Sequence, residues 1–292
     1  METYILGVLV TLSIFGLLAV SLDLLIGYTG LFTIVHGGLF GIGAYAAAVA
    51  ALSWGTGFWG GLAIGAAGGA VISLLIAIPS LRVSGHYLVL ASFGVQEVLS
   101  GLYLNLDSVT GGPGGLRGIP RPELFGVTIA DNASYLALYA GLLALGLALL
   151  FLVVRSPYGL LLQAIREDEL APQALGKNVV ALKVKTFAVS GAFAGVAGAM
   201  YAHYMTFVSP DSFDVHVSIL VLSMVLIGGM GTLWGPLLGT LVLIVVPEAL
   251  RFLPLDSGQL GPLRQIAYGA VLVFFCFARP RGLLGGRGGG PE

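Results

Sequence analysis

Residues 24–81 read LLIGYTGLFTIVHGGLFGIGAYAAAVAALSWGTGFWGGLAIGAAGGAVISLLIAIPSL, 58 consecutive positions without one charged side chain. A bilayer core about 30 Å thick is crossed by about 20 apolar helical residues. The run therefore holds two spans. They fold back at Ser53-Trp54-Gly55-Thr56-Gly57, a turn cluster carrying an interfacial aromatic. No period-2 alternation marks a β-barrel, and in lipid the backbone must otherwise satisfy itself as helix. Further charge-free runs occupy 3–22, 83–96, 132–154, 186–210, 215–247 and 265–278. Spans are expected near 4–22, 30–52, 60–78, 86–104, 134–154, 186–206, 217–250 and 265–278. The expected fold class is an all-α polytopic membrane protein. It has about 8–9 transmembrane helices, counting an interrupted or re-entrant pair near 217–250.

The composition agrees. The 292 residues include 13 Lys+Arg and 14 Asp+Glu, 9% charged, against about 25% in a soluble domain. So few charges cannot cover a water-soluble globule. With 57% hydrophobic residues the chain is too apolar for disorder. The net charge of −1 offers no field for nucleic acid. The single cysteine, Cys276, falls in the last span, which excludes an internal disulfide and a Cys-based metal site. Residues 1–22 open without basic residues and read as a retained helix rather than a signal peptide. There is no H-E-x-x-H, G-x-S-x-G, P-loop or dinucleotide fingerprint. No catalytic residue, metal or cofactor is expected, and any ATP use belongs to a partner. His36, His86, His203 and His216 are scattered and read as helix-end or interfacial groups.

Within 217–250 stands Ile227-Gly228-Gly229-Met230-Gly231-Thr232-Leu233-Trp234-Gly235-Pro236, dense enough in glycine to break a helix. Charge supports two pieces. Arg82, the 155–185 loop and the tail hold nine of the thirteen basic residues, and all lie on one side only if 217–250 crosses twice or re-enters. The N-terminus is then outside. Gly37-Gly38-Leu39-Phe40-Gly41 weakly echoes Gly235-Pro236-Leu237-Leu238-Gly239. Gly37, Gly38, Gly228, Gly229 and Gly231 are thus candidate interrupted-helix positions.

Glu97, preceded by Gln96, sits near the middle of its span. An intramembrane carboxylate lines a polar path, pairs with a partner or stays protonated, set against a structural hydrogen bond between packed helices. Asp23 ends the first charge-free run and reads as a boundary residue. Gly61-x-x-x-Gly65-x-x-Gly68-Gly69 and Gly191-x-x-x-Gly195-x-x-Gly198 are spaced for close helix packing.

The most informative polar stretch is 155–185, RSPYGLLLQAIREDELAPQALGKNVVALKVK. It is too long for a plain connection. Pro157 suits a first helical turn, giving a helix to Glu167. A second short helix spans about 169–175, stopped by Gly176 in the left-handed conformation. Charged residues followed by Ala171 and Ala174 make a docking knob for a cytoplasmic partner, set against a plain solvated loop.

With Ser84-Gly85-His86-Tyr87-Leu88, Asp107–Leu116 (DSVTGGPGGL), Ala164–Glu169, Ala174-Leu175-Gly176, Ser209–Phe213 (SPDSF) and Gly228–Thr232 (GGMGT), the chain resembles the branched-chain amino-acid permease subunits of ABC importers, of the LivM type, over nearly its whole length. The resemblance implies that 164–178 is the ATPase-coupling segment, carried by Ala164, Ile165, Arg166, Glu167, Asp168, Glu169, Ala171, Ala174 and Gly176. Many importers have Ala-Ala-x-x-x-Gly here; this chain has Pro172 at the second alanine. The resemblance also implies a second permease subunit, two cytoplasmic ATP-binding subunits, an extracytoplasmic solute-binding protein and a bacterial or archaeal inner membrane. The expected organisation is a single permease domain over 1–278, with coupling loop 155–185, and a disordered cytoplasmic tail over 279–292. A permease of the same family for urea or amides, or a secondary transporter, are the alternatives.

Overall fold

Helices occupy the charge-free runs because hydrocarbon leaves the backbone no other partner. The computed structural model describes residues 2–80, 85–124, 127–129, 131–249, 269–270, 273–275, 277 and 282–284. The long helices are α1 (Glu2–Thr29), α2 (His36–Trp54), α3 (Phe58–Ser80) and α4 (His86–Asn105). A short α5 (Asp107–Thr110) follows, then α6 (Asn132–Arg155), α7 (Pro157–Glu167), α8 (Leu170–Ala174), α9 (Val179–Met205), α10 (Val215–Gly228) and α11 (Gly235–Ala249). Among the described residues, seven helical segments are long and apolar enough to cross a membrane, and Gly235–Val245 is a shorter apolar helix. The protein is an all-α polytopic membrane protein. Most of the expected span 265–278, with Cys276, lies outside the described residues, as do Arg82, Ser84, Arg251 and Arg264.

Two boundaries differ from the sequence reading. The first span does not stop at residue 22 but continues to Thr29, and the break before α2 falls at 30–35. Asp23 is therefore inside a helix and 1% exposed, not a boundary residue. A hydrogen-bond partner, described below, lets it stay there. The span expected from residue 186 starts at Val179, because Asn178 caps it: its side-chain oxygen accepts from the Ala181 amide at 3.0 Å.

The centre is α9, packed against α1, α2 and α3. Glycine makes this possible. A Cβ at Gly195 would lie 2.1 Å from the Gly65 carbonyl oxygen, and one at Gly69 2.1 Å from that of Gly191. The close-packing spacings are thus met by backbones in direct contact. Beside them Phe40, Tyr45, Tyr103, Tyr201 and Phe213 form a ring cluster, with Phe40 and Phe213 centroids 5.3 Å apart.

The 217–250 run breaks where its glycines predict. Gly229 and Gly231 adopt φ of +109° and +76°, and α10 and α11 fold back on each other, with Gly228 facing Gly235. Fifteen residues give α11 about 22 Å of length, less than the hydrocarbon core. At one end of the bundle, β1 (Leu116–Arg117) pairs antiparallel with β4 (Phe207–Val208). A small hairpin, β2 (Glu123–Leu124) and β3 (Val127–Thr128), lies in the same connection. The opposite end carries α7, α8 and the α10–α11 turn.

Candidate functional site

The 155–185 loop folds into α7 and α8 for local reasons. Pro157 opens α7, where its missing amide costs nothing. The α6–α7 corner is so sharp that a Cβ at Gly159 would lie 2.0 Å from the Val154 carbonyl oxygen. Gly159, Leu162 and Ile165 face inward at helical spacing. Tyr158 bonds to the Leu182 carbonyl at 3.1 Å and to the Thr186 hydroxyl at 2.7 Å, and burial pushes its phenol above the ordinary range. Asp168 accepts from the Leu170 amide at 2.8 Å, starting α8. Glu169 pairs with Lys183 at 2.5 Å, tying α8 to the first turns of α9. Gly176 has φ of +73° and donates to the Gln173 carbonyl at 2.9 Å.

The structure thus gathers the residues expected to couple to an ATPase at one end of the bundle, most of them exposed and Ile165 buried. Ala164, Ile165, Arg166 and Glu167 form the last turn of α7, Asp168 and Glu169 the connector, and Ala171 and Ala174 lie in α8. Leu170 and Leu175 are 71% and 77% exposed. Two bare leucines among charges, at the aqueous end of a membrane helix, are a protein-docking pattern.

Arg166 reaches inward. Its guanidinium donates to the Gly27 carbonyl near the end of α1. One turn back, Asp23 accepts the Gly231 amide from the α10–α11 turn at 2.9 Å. The amides of Leu283 and Leu284 donate to the Ile227 and Gly228 carbonyls, each at 2.9 Å, closing the end of α10. One corner therefore joins α1, α7, the α10–α11 turn and the tail. Sequence reasoning had set Asp23 aside. Its signal was present: it is the one charge between two long apolar runs, and inside a helix such a charge needs a partner.

A second polar knot lies within the span region, at the start of α2. First-turn amides have no partner in their own helix. Here Gly37 donates to Ser218 Oγ at 2.7 Å and Gly38 to Gln96 Oε1 at 2.7 Å. Ser218 also donates to Gln96 Oε1 at 3.0 Å, and Gln96 Nε2 donates to the Phe213 carbonyl at 2.9 Å. Tyr103 donates to the Gly38 carbonyl at 2.7 Å. Gly37 and Gly38 thus sit at a helix start pinned by α4 and α10. Gly228, Gly229 and Gly231 lie at the break between α10 and α11. His36 Nε2 is 3.0 Å from Ser190 Oγ, which donates to the Ser21 carbonyl. His36 opens α2 and His203 lies in the last turn of α9, so both stand at helix ends as the sequence suggests, but both are buried rather than interfacial. His203 is held by the Pro120 carbonyl at 2.8 Å and the edge of Phe58.

Glu97 departs from its neighbour. Gln96 is buried in the knot, while Glu97 points to the bare side of α4 and makes no hydrogen bond or ion pair among the described residues. Among these residues no cluster of His, Cys, Asp or Glu could hold a metal ion.

Comparison with known proteins follows the same lines. The sequence family described as branched-chain amino acid transport system, permease component, matches residues 4–276. The chain is 33% identical to the high-affinity branched-chain amino acid transport system permease protein LivM of Escherichia coli, over 93% of this chain and 68% of that protein. The probable LivM permease of Methanocaldococcus jannaschii is 26% identical over 74% of this chain and 65% of that protein. The LivH permease of Salmonella typhimurium is 25% identical over 94% and 92%. No solved structure matches the chain.

Proposed function

Because the chain belongs to the branched-chain amino acid transport permease family, we propose that it is the LivM-type membrane subunit of an ATP-binding-cassette importer. Its cargo is branched-chain amino acids. It works with a second permease, two cytoplasmic ATP-binding subunits and an extracytoplasmic binding protein that delivers the substrate. Its sequence carries no P-loop, and the chain acts as a transport subunit whose ATP is bound by its partners. It resides in a bacterial or archaeal inner membrane, with the α7–α8 end in the cytoplasm.

The observation that carries this reading is the α7–α8 knob, with Leu170 and Leu175 exposed and Glu169 anchored to Lys183. ATP binding closes a partner beneath it. The knob moves, and Arg166 passes the displacement to α1 and the α10–α11 turn. Substrate crosses where this chain meets the second permease. The likeness to LivH as well as LivM supports a partner permease of related fold.

Co-expression with the ATPase and permease encoded beside it, followed by reconstitution with the binding protein, tests the reading. ATP-dependent uptake of leucine, isoleucine and valine is the expected result. Uptake driven without ATP, or an ATPase that never co-purifies, would overturn it. Uptake of urea or amides alone would move the cargo within the family.

A further inference from the structure

Helix α4 packs through one side only. Leu88, Ser92, Gln96, Leu99 and Tyr103 face the bundle. The other side shows Tyr87, Leu90, Phe93, Val98 and Leu102, all exposed. An apolar stripe of this kind is at home in lipid, but Glu97 lies in its middle. It is eleven residues from His86 and eight from Asn105, so about 16 Å and about 12 Å along the axis from the two helix ends. A glutamate side chain is too short to bring its carboxylate to either interface. Nothing within the described chain pairs with it.

The other exposed span gives the contrast. On α6 the bare face carries Leu145, Leu149 and Leu152 and no charge, as lipid requires. Around Glu97 the surface also opens. No atom lies within 4 Å of a Cβ built at Gly94 or at Gly101, one turn to either side along the same stripe. A neighbouring helix can approach the α4 backbone closely there.

We infer that the Glu97 face of α4 is covered by the second permease subunit, and that this partner presents a hydrogen-bond donor or a basic group to Glu97. A second copy of this chain is the wrong occupant. A twofold axis passing near Glu97 would set two carboxyls against each other, and at least one would have to take up a proton to be tolerated in a medium of low dielectric. A non-identical permease supplies the complementary group and fixes which subunit is accepted. This inference rests on the importer assembly proposed above.

The test uses the complete importer in nanodiscs, with Cys276→Ser and a nitroxide on Val98→Cys. A second label on Leu149→Cys of α6 is the lipid-facing control. Collision with molecular oxygen reads exposure to hydrocarbon. Going from the chain alone to the assembled importer, collision at position 98 is expected to fall at least threefold, while position 149 is unchanged. An assembled importer in which 98 stays as accessible as 149 overturns the inference and leaves the importer reading standing. If no second permease co-purifies, both are overturned. Spin–spin broadening between two copies of this chain at position 98 overturns the choice of a non-identical partner. Independently, Glu97→Leu is expected to lower recovery of the two-permease complex at least tenfold at equal expression of this chain, and Glu97→Gln less than threefold. Equal recovery for Glu97→Leu would overturn the pairing.

Discussion

The backbone amide of Gly231 donates a 2.9 Å hydrogen bond to the carboxylate of Asp23, 208 residues earlier in the chain. This bond ties the turn of the α10–α11 hairpin to the last third of α1. The approach is close: a Cβ at Gly27 would lie 2.1 Å from Asp23 Oδ1 and 2.2 Å from the Gly231 nitrogen. Asp23→Leu leaves the Gly231 amide without an acceptor, a loss of about 1–3 kcal/mol for a buried donor. Asp23→Asn keeps an acceptor oxygen at the same place. Thermal unfolding in detergent is expected to show the leucine variant clearly less stable and the asparagine variant near wild type. Matching curves for leucine and wild type would mean that the turn is held elsewhere.

Arg166 joins the α7–α8 knob to the same corner through the Gly27 carbonyl. Its partner lies within this chain, so Arg166→Ala is expected to leave ATPase binding intact and to reduce uptake at least tenfold. Arg166→Lys retains a charge and a donor but not the planar fork, and falls between. A pull-down of the ATPase beside an uptake assay separates the two steps. Equal loss of binding and uptake would place Arg166 on the docking surface instead.

Gly176 stands just past α8 at φ of +73°, with open space around it. A side chain fits but the backbone is strained, by about 1–2 kcal/mol. Gly176→Asp is expected to insert and fold normally while weakening ATPase docking, because the strain and the added charge fall on the knob. ATP hydrolysis stimulated by loaded binding protein drops together with uptake. Undiminished docking at matched expression would reduce the segment to a connector.

Gly195 tests the packing. Its Cβ position is 2.1 Å from the Gly65 carbonyl oxygen and 3.3 Å from the Gly69 Cα, so even Gly195→Ala forces α3 and α9 apart. Monodisperse protein recovered by size exclusion is expected to fall severalfold, whereas Gly141→Ala, in open space on α6, leaves it unchanged.

Much of this architecture is legible in the sequence because the bilayer sets element length and hydropathy together. The break at Gly228–Gly231, the stop at Gly176 and the α7–α8 pair all follow from local residue chemistry. What stayed hidden depends on distant partners. Asp23 reads as a span boundary until Gly231 is known to face it. His36 and His203 read as interfacial until Ser190 and Pro120 are seen to hold one ring nitrogen of each in the interior. Glu97 was singled out for its depth, but its neighbour Gln96 does the internal bonding. Only the packing of α4 tells which of the two faces inward.

The knot at the start of α2 bears on the timing of any motion there. Gln96 Oε1 accepts from both Gly38 and Ser218, and its amide holds Phe213. Sliding α10 away from α2 and α4 would break the Gly37–Ser218 and Ser218–Gln96 bonds together, since both meet at Ser218 Oγ, while the Gly38–Gln96 bond still joins α2 to α4. At Ser218 the two bonds are made or broken together, so this point works as a latch on α10 rather than a sliding contact.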